Sequence, residues 1–266
     1  MGRAKLFHIP GYVWHLTHRC HNKDHLLKFS RDKKRWMHWL FEARKRYGLA
    51  ILNYVVTSNH IHLMVYDDGR RGVIPRSILL AASRTAREYN ERKARSGAFW
   101  EDHYHATAVD TSEYLRRCLV YIDLNMVRAG VVGHPREWGF GGYAEVTGDR
   151  QRFRLIDIPR LLTLLKMPNR QALRTSLDGW IQEKQSASIN GREAVWTESV
   201  AVGGEAFVKN IKEQLGPKAN SREITHNGGY FVLREGRLAY ACNTNFSRKN
   251  TILSDFVKLG KNRLSL

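Results

Sequence analysis

Cysteine is scarce in this chain and scattered. Three residues, Cys20, Cys118 and Cys242, lie far apart with no Cys-x-x-Cys pair, which argues against a disulfide framework and against a cysteine zinc site. Acidic side chains are short as well, with 25 Asp+Glu against 44 Lys+Arg. No set of carboxylates has the spacing of a hydrolytic metal cluster, so an unrelated two-histidine hydrolase trails the other readings. No apolar run approaches the roughly 20 residues of a membrane helix, and the N-terminus lacks the apolar segment of a signal peptide. Histidine is nearly missing from the second half: eleven of the twelve precede residue 150. These absences predict a protein of a reducing cytosol with no membrane partner, whose imidazole chemistry sits in its first half.

What is in excess is positive charge. The formal net charge is +19 and the pI about 10.1. The surplus is even, with 25 basic and 15 acidic residues over 1–150 and 19 and 10 over 151–266. A field of that sign attracts polyanions, and neutralising phosphates with release of counterions gives strong, salt-dependent nucleic-acid binding. At 266 residues and 42% apolar, the chain can build one full core and a second, smaller unit.

Periodicity gives the order of elements. Gly11 to Thr17 alternates with β-branched and aromatic enrichment and reads as a strand. Asp32 to Tyr47 carries Trp36, Leu40, Ala43 and Tyr47 at helical spacing, with Gly48 as a stop. Leu49 to Val56 and His60 to Tyr66 read as a hairpin broken by Thr57-Ser58-Asn59. Ile74 to Arg95 is a second amphipathic helix, and Phe99 to Val109 a fourth strand. Asp110-Thr-Ser-Glu113 has the form of a capping box, which predicts a helix to about Arg128. This order implies an α+β fold, a ferredoxin-like antiparallel sheet with helices on one face. The expected division is a domain over 1–148 and a mixed α/β accessory region over 149–266 that binds nucleic acid or a partner. In the latter, helices are expected over Ile158 to Leu165, Asn169 to Lys184 and Gly204 to Leu215. A linker is expected over Gln185 to Glu193, a hairpin around Glu235-Gly236, and a basic end.

Two features carry chemistry. In a strand, residues two apart share a face, so His60 and His62 present two imidazoles side by side while Ile61, Leu63 and Val65 face a core. Neutral imidazole is the commonest protein metal ligand, and the pair is a candidate two-point grip on a divalent ion. On the helix after Asp110, Tyr114, Arg117, Tyr121, Asn125 and Arg128 fall near one side. Taken alone, each has a structural reading that outweighs the chemical one: a chance histidine pair on a strand, and Tyr121 as a core tyrosine with Asn125 as a cap donor.

Taken together, His15-Leu-Thr-His-Arg, Ser58-Asn-His-Ile-His-Leu-Met-Val, Phe99-Trp and Tyr121-Ile-Asp-Leu-Asn-Met-Val-Arg-Ala-Gly-Val-Val resemble the single-tyrosine HUH transposases, in particular the REP-associated tyrosine transposase branch. The resemblance covers roughly residues 6 to 145. It implies the HUH endonuclease fold, His60 and His62 as paired metal ligands, Asn125 completing the site, and Tyr121 as nucleophile. Met126 stands where the family usually has proline after the asparagine. The resemblance further implies Mg²⁺ or Mn²⁺ as cofactor and single-stranded DNA with hairpins as substrate. It also implies a 5′-phosphotyrosine intermediate, possession of one tyrosine per site and hence a homodimer or sequential turnovers, and a bacterial, nucleoid-associated location.

Arg19, Lys23, Arg116, Arg117 and Arg128 are the expected backbone contacts. Trp100 and Tyr104, with Trp14, are the aromatics expected to stack on unpaired bases. The expected function is thus a single-strand DNA endonuclease and strand transferase. The alternative is a non-catalytic hairpin-binding protein on the same scaffold.

Overall fold

The alternating runs of the first half pair into four strands, β1 (Val13–Arg19), β2 (Ala50–Val56), β3 (His60–Tyr66) and β4 (His105–Val109). The structure is a computed structural model and describes residues 9–111, 113–148, 152–187 and 193–236. The strands lie in the order β2-β3-β1-β4, every neighbour antiparallel. Helix α1 (Ser30–Tyr47) connects β1 to β2, and α2 (Val73–Arg92) connects β3 to β4. This is the ferredoxin-like α+β arrangement that the element order implied.

The register puts Thr17 opposite His62, Arg19 opposite His60 and Leu16 opposite Leu63. Since side chains alternate, Leu16, His18, Ile61 and Leu63 share one face, and His15, Thr17, His60 and His62 the other. Helices α1 and α2 pair over the first of these: Trp100 stacks on His18 with ring centroids 4.2 Å apart, and its indole N–H donates to the Ala82 carbonyl of α2. Trp36, Met37, Leu40 and Ala43 bury the inner side of α1, which Gly48 closes with φ of 71°. Arg35 donates two hydrogen bonds of 2.6 Å to Glu88, and Arg92 meets the buried Asp32, clamping the two helices. β4 is shorter than expected, because residues 101–103 form a bend.

The second face is covered by α3 (Glu113–Asp123) and the single turn α4 (Asn125–Arg128). The expected continuous helix to Arg128 is broken at Leu124, where ψ is 2°. The expected capping box also forms differently. Asp110 accepts from the N–H of Thr111 (2.8 Å) and of Gly204 (3.0 Å), so its carboxylate ties β4 to the second half. Asp123, buried, accepts from Asn53 Nδ2 at 3.0 Å and pins the end of α3 to β2.

Beyond α4, α5 (Tyr143–Val146), α6 (Ile158–Leu165), α7 (Arg170–Ser186) and α8 (Val195–Glu198) lead to β5 (Ala201–Gly203), α9 (Glu205–Leu215), β6 (Arg222–Asn227) and β7 (Tyr230–Glu235). These last strands continue the same sheet as β4-β5-β7-β6, with β5 parallel to β4. A Cβ at Gly203 would lie 2.4 Å from Asp110 Cβ, so the join needs glycine. β6 and β7 are joined by a turn at Gly228-Gly229, with φ of 57° and 85°, while the far strand of the hairpin expected around Glu235-Gly236 lies outside the described residues. Paired positive φ values are what a tight two-residue turn requires and glycine supplies. The basic end and residues 188–192 of the expected linker lie outside the described residues.

Candidate active site

The turn Thr57-Ser58-Asn59 does more than reverse the chain. The Thr57 hydroxyl donates to the His60 carbonyl (2.8 Å) and so presents its oxygen to His60 Nδ1 at 3.0 Å, while Asn59 Oδ1 approaches the same nitrogen at 2.7 Å. Two acceptors facing Nδ1 require a proton there, which leaves the lone pair of His60 on Nε2. A ligating histidine has that state, with its other nitrogen donating to an outer partner. His62 is 2% exposed, and its ring centroid lies 4.9 Å from that of His60. Its Nδ1 faces His15 Nε2 at 2.9 Å and the Thr17 hydroxyl at 3.3 Å. His15, wholly buried, reaches the Trp196 carbonyl through Nδ1 at 2.9 Å. Burial pulls its pKa down to about 3, with the Trp196 contact opposing and His105 adding to the shift.

Helix α3 brings Tyr121 across the sheet to these rings. Its centroid lies 5.7 Å from that of His62, 6.1 Å from His15 and 6.2 Å from Trp196. The Arg128 guanidinium lies 4.2 Å over the tyrosine ring, and its Nη2 donates to the Tyr121 carbonyl at 2.8 Å. Burial lowers the pKa of Arg128, opposed by Tyr121 and Glu193. Its buried Nη1 has no hydrogen-bond partner among the described residues.

Thr17, Arg19, His60, His62, Tyr121, Asn125 and Arg128 line one cleft of about 260 Å³. Of the residues expected from the sequence, the structure therefore gathers His60, His62, Tyr121, Asn125, Arg19 and Arg128. Among the described residues no group of three or more His, Cys, Asp or Glu side chains is arranged to hold a metal ion. The donor set here is two imidazoles and a carboxamide, which suits a borderline-to-hard divalent ion with positions left for phosphate oxygen and water.

Tyr121 and Arg128 also line a second cleft of about 330 Å³, together with Arg116, Arg117, Trp180, Lys184 and Tyr230. Arg116 lies 5.6 Å over Trp180, and Arg117 lies 4.9 Å over Tyr230 while pairing with Glu113. The remaining expected contacts lie elsewhere. Lys23 is exposed in a 3₁₀ turn whose carbonyl accepts from Asn59 Nδ2. Trp100 and Tyr104 pack around His18 on the opposite face of the sheet, and neither lines either cleft. Tyr104 is 6% exposed, and burial raises its pKa. Sequence reasoning did not single out Thr17, Trp196 or Thr197, nor give His15 a role. The alternation of β1 placed His15 and Thr17 together, but nothing local pointed to a residue 181 positions away from His15.

The family described as Transposase IS200 like matches residues 9–125. Among solved structures, the chain is similar to a REP-associated tyrosine transposase bound to a REP hairpin. The identity is 17%, covering 59% of this chain and 93% of that one, with a TM-score of 0.44. It is also similar to a candidate transposase from Deinococcus radiodurans R1 at 16% identity, covering 49% of this chain and 96% of that one, with a TM-score of 0.32. No curated protein matches the chain.

Proposed function

We propose that the chain, whose residues 9–125 match the IS200-like transposase family, is a metal-dependent single-strand DNA endonuclease and strand transferase of the REP-associated branch, acting at sites beside hairpins. The observation that carries the reading is the meeting of His60, His62, Asn125 and Tyr121 in one cleft. His60 and His62 through Nε2, with Asn125, would hold Mg²⁺ or Mn²⁺, which when bound polarises and orients the scissile phosphate.

Tyr121 Oη gives up its proton to water and attacks the phosphorus. The bond from phosphorus to the 3′ oxygen breaks, the 3′ oxygen takes up a proton, and the 5′ phosphate stays on the tyrosine. The Arg128 guanidinium, stacked on the tyrosine ring, sets positive charge beside the forming phenolate, and its unpartnered Nη1 is a donor for a phosphate oxygen. Arg19 extends that positive lining at the mouth. Because the phosphodiester energy is kept in the phosphotyrosine, the hydroxyl of another strand can reverse the step and join DNA. One tyrosine per site calls for a homodimer or sequential turnovers to exchange strands. Arg116 and Arg117 in the second cleft are the backbone contacts most directly continuous with the site. Lys23, Trp100 and Tyr104 stand apart from both clefts, and a contact through them would need DNA that reaches around the sheet. Residues 149–266 form an accessory region for nucleic acid or a partner.

One observation favours the alternative, a hairpin-binding protein without catalysis: Tyr121 is only 4% exposed. The two separate in one assay. End-labelled single-stranded oligonucleotides with hairpins, incubated with Mg²⁺ or Mn²⁺, are expected to give a denaturant-resistant protein–DNA adduct. The adduct is lost in Tyr121→Phe and cleavage is lost in His60→Ala. Tight binding with no adduct from the wild-type chain promotes the alternative, and an adduct that survives Tyr121→Phe moves the nucleophile to another residue.

A further inference from the structure

His62 is held by a chain of hydrogen bonds whose direction can be read from chemistry alone. The Trp196 carbonyl can only accept, so His15 Nδ1, 2.9 Å away, carries a proton. His15 is wholly buried, and its ring neighbours are His62 and Tyr121, with no carboxylate among them. A charged imidazolium there would be desolvated without compensation, so the ring is neutral and its Nε2 holds a lone pair. That lone pair faces His62 Nδ1 at 2.9 Å. His62 must then donate from Nδ1, which puts its own lone pair on Nε2.

We infer that His15 is a positioning residue which, anchored on the Trp196 carbonyl of the second half, fixes His62 in the Nδ1–H tautomer and so readies Nε2 as a metal-ligating nitrogen. The inference rests on the proposed metal site for its purpose, and on the hydrogen bonds of this chain for its substance. The two histidines are prepared by different means. His60 takes its tautomer from the turn that precedes it, through Thr57 and Asn59. His62 takes its tautomer from residues 47 and 134 positions away, through β1 and α8. Thr107 donates to the Ser199 carbonyl at 2.7 Å, and β4 pairs with β5, so the segment carrying Trp196 is itself tied to the central sheet. The second half would therefore be part of the metal site's support as well as a surface for other molecules.

The test reads the tautomer directly. In the full-length protein without metal, ring ¹⁵N shifts at a pH where His62 is neutral are expected to show Nδ1–H for both His60 and His62. In His15→Leu, His62 moves to a mixture of tautomers while His60 is unchanged, and Mn²⁺ affinity measured by calorimetry falls ~10–100-fold. In His15→Gln, whose Oε1 can accept from His62 Nδ1, the His62 tautomer and most of the affinity return, an outcome that loss of packing alone would not give. A wild-type His62 protonated on Nε2, or a His15→Leu protein with unchanged His62 shifts and Mn²⁺ affinity, overturns the inference. Should His15→Leu fail to fold, the wild-type shifts and the His15→Gln protein still decide it. Wild-type protein with the expected shifts but no Mn²⁺ binding upholds the relay and overturns the metal reading.

Discussion

At the scale of single residues, three buried titratable groups set how the protein responds to acid. Burial holds His15 near pKa 3 and His18 near 4, while desolvation lifts Asp123 to about 7 against the Asn53 hydrogen bond. A depressed histidine favours the unfolded state as pH falls, because only the unfolded chain takes up the proton between about 6.5 and 4. A raised carboxyl does the reverse between about 7 and 4, where only the folded chain is protonated. From pH 7 to pH 5 each histidine therefore costs about 2 kcal/mol, and Asp123 returns about the same. Urea unfolding of metal-free protein is expected to show a moderate net loss of stability over that range. The loss is expected to be steeper in Asp123→Asn, which removes the opposing term; an equal or shallower slope in the variant would refute the assignment. None of these environments was legible in the sequence, since burial of a histidine depends on what covers its face of the sheet. What was legible was the pairing of His60 with His62, because strand alternation is local, and the shared side of Tyr121, Asn125 and Arg128, because helical spacing is local too.

At the scale of elements, the break between α3 and α4 separates the nucleophile from the carboxamide. Tyr121 sits in the last turn of α3, and Asn125 opens α4. Met126 occupies the first turn of α4, where an N–H needs no intrahelical partner and proline is tolerated. Met126→Pro is thus expected to unfold cooperatively and still form the adduct, at the cost of the packing of a side chain 4% exposed. Val120→Pro, inside α3, should lose about 3 kcal/mol or more and the adduct with it. Circular dichroism melts beside the adduct assay make the comparison, and equal damage by both would mean that the break is not where the geometry puts it. The continuous periodicity of 113–128 hid this break, because a turn with ψ near zero leaves the apolar stripe almost in phase. The turn at Gly228-Gly229 was hidden for another reason: the run Arg222–Asn227 that forms β6 is polar and lacks the alternation of a half-buried strand, so only its pairing with β7 marks the glycines as a hairpin turn.

At the scale of the whole molecule, a net charge of +19 makes ionic strength the principal control of DNA affinity. Binding of single-stranded DNA is expected to weaken linearly in a log–log plot against salt. The slope should fall by ~0.7 for each phosphate contact removed, and Arg116→Ala, Arg117→Ala and Arg128→Ala should each lower it by about that amount. Unchanged slopes would take these arginines off the DNA path. The ferredoxin-like half was readable because its contacts follow the order of the chain, whereas the extension of the sheet was not. β5 is three residues long and finds its parallel partner some ninety residues earlier, a pairing with no local signature. That parallel join also fixes a timetable. As the chain leaves the ribosome, β4 has an open edge until Gly203 emerges, an interval of about 5–20 s at ordinary elongation rates. For that interval the nascent chain carries a bare strand edge able to pair with a neighbour. Expression at a slowed elongation rate should therefore lower the yield of native protein through aggregation, while co-expressed chaperones that shield strand edges should restore it.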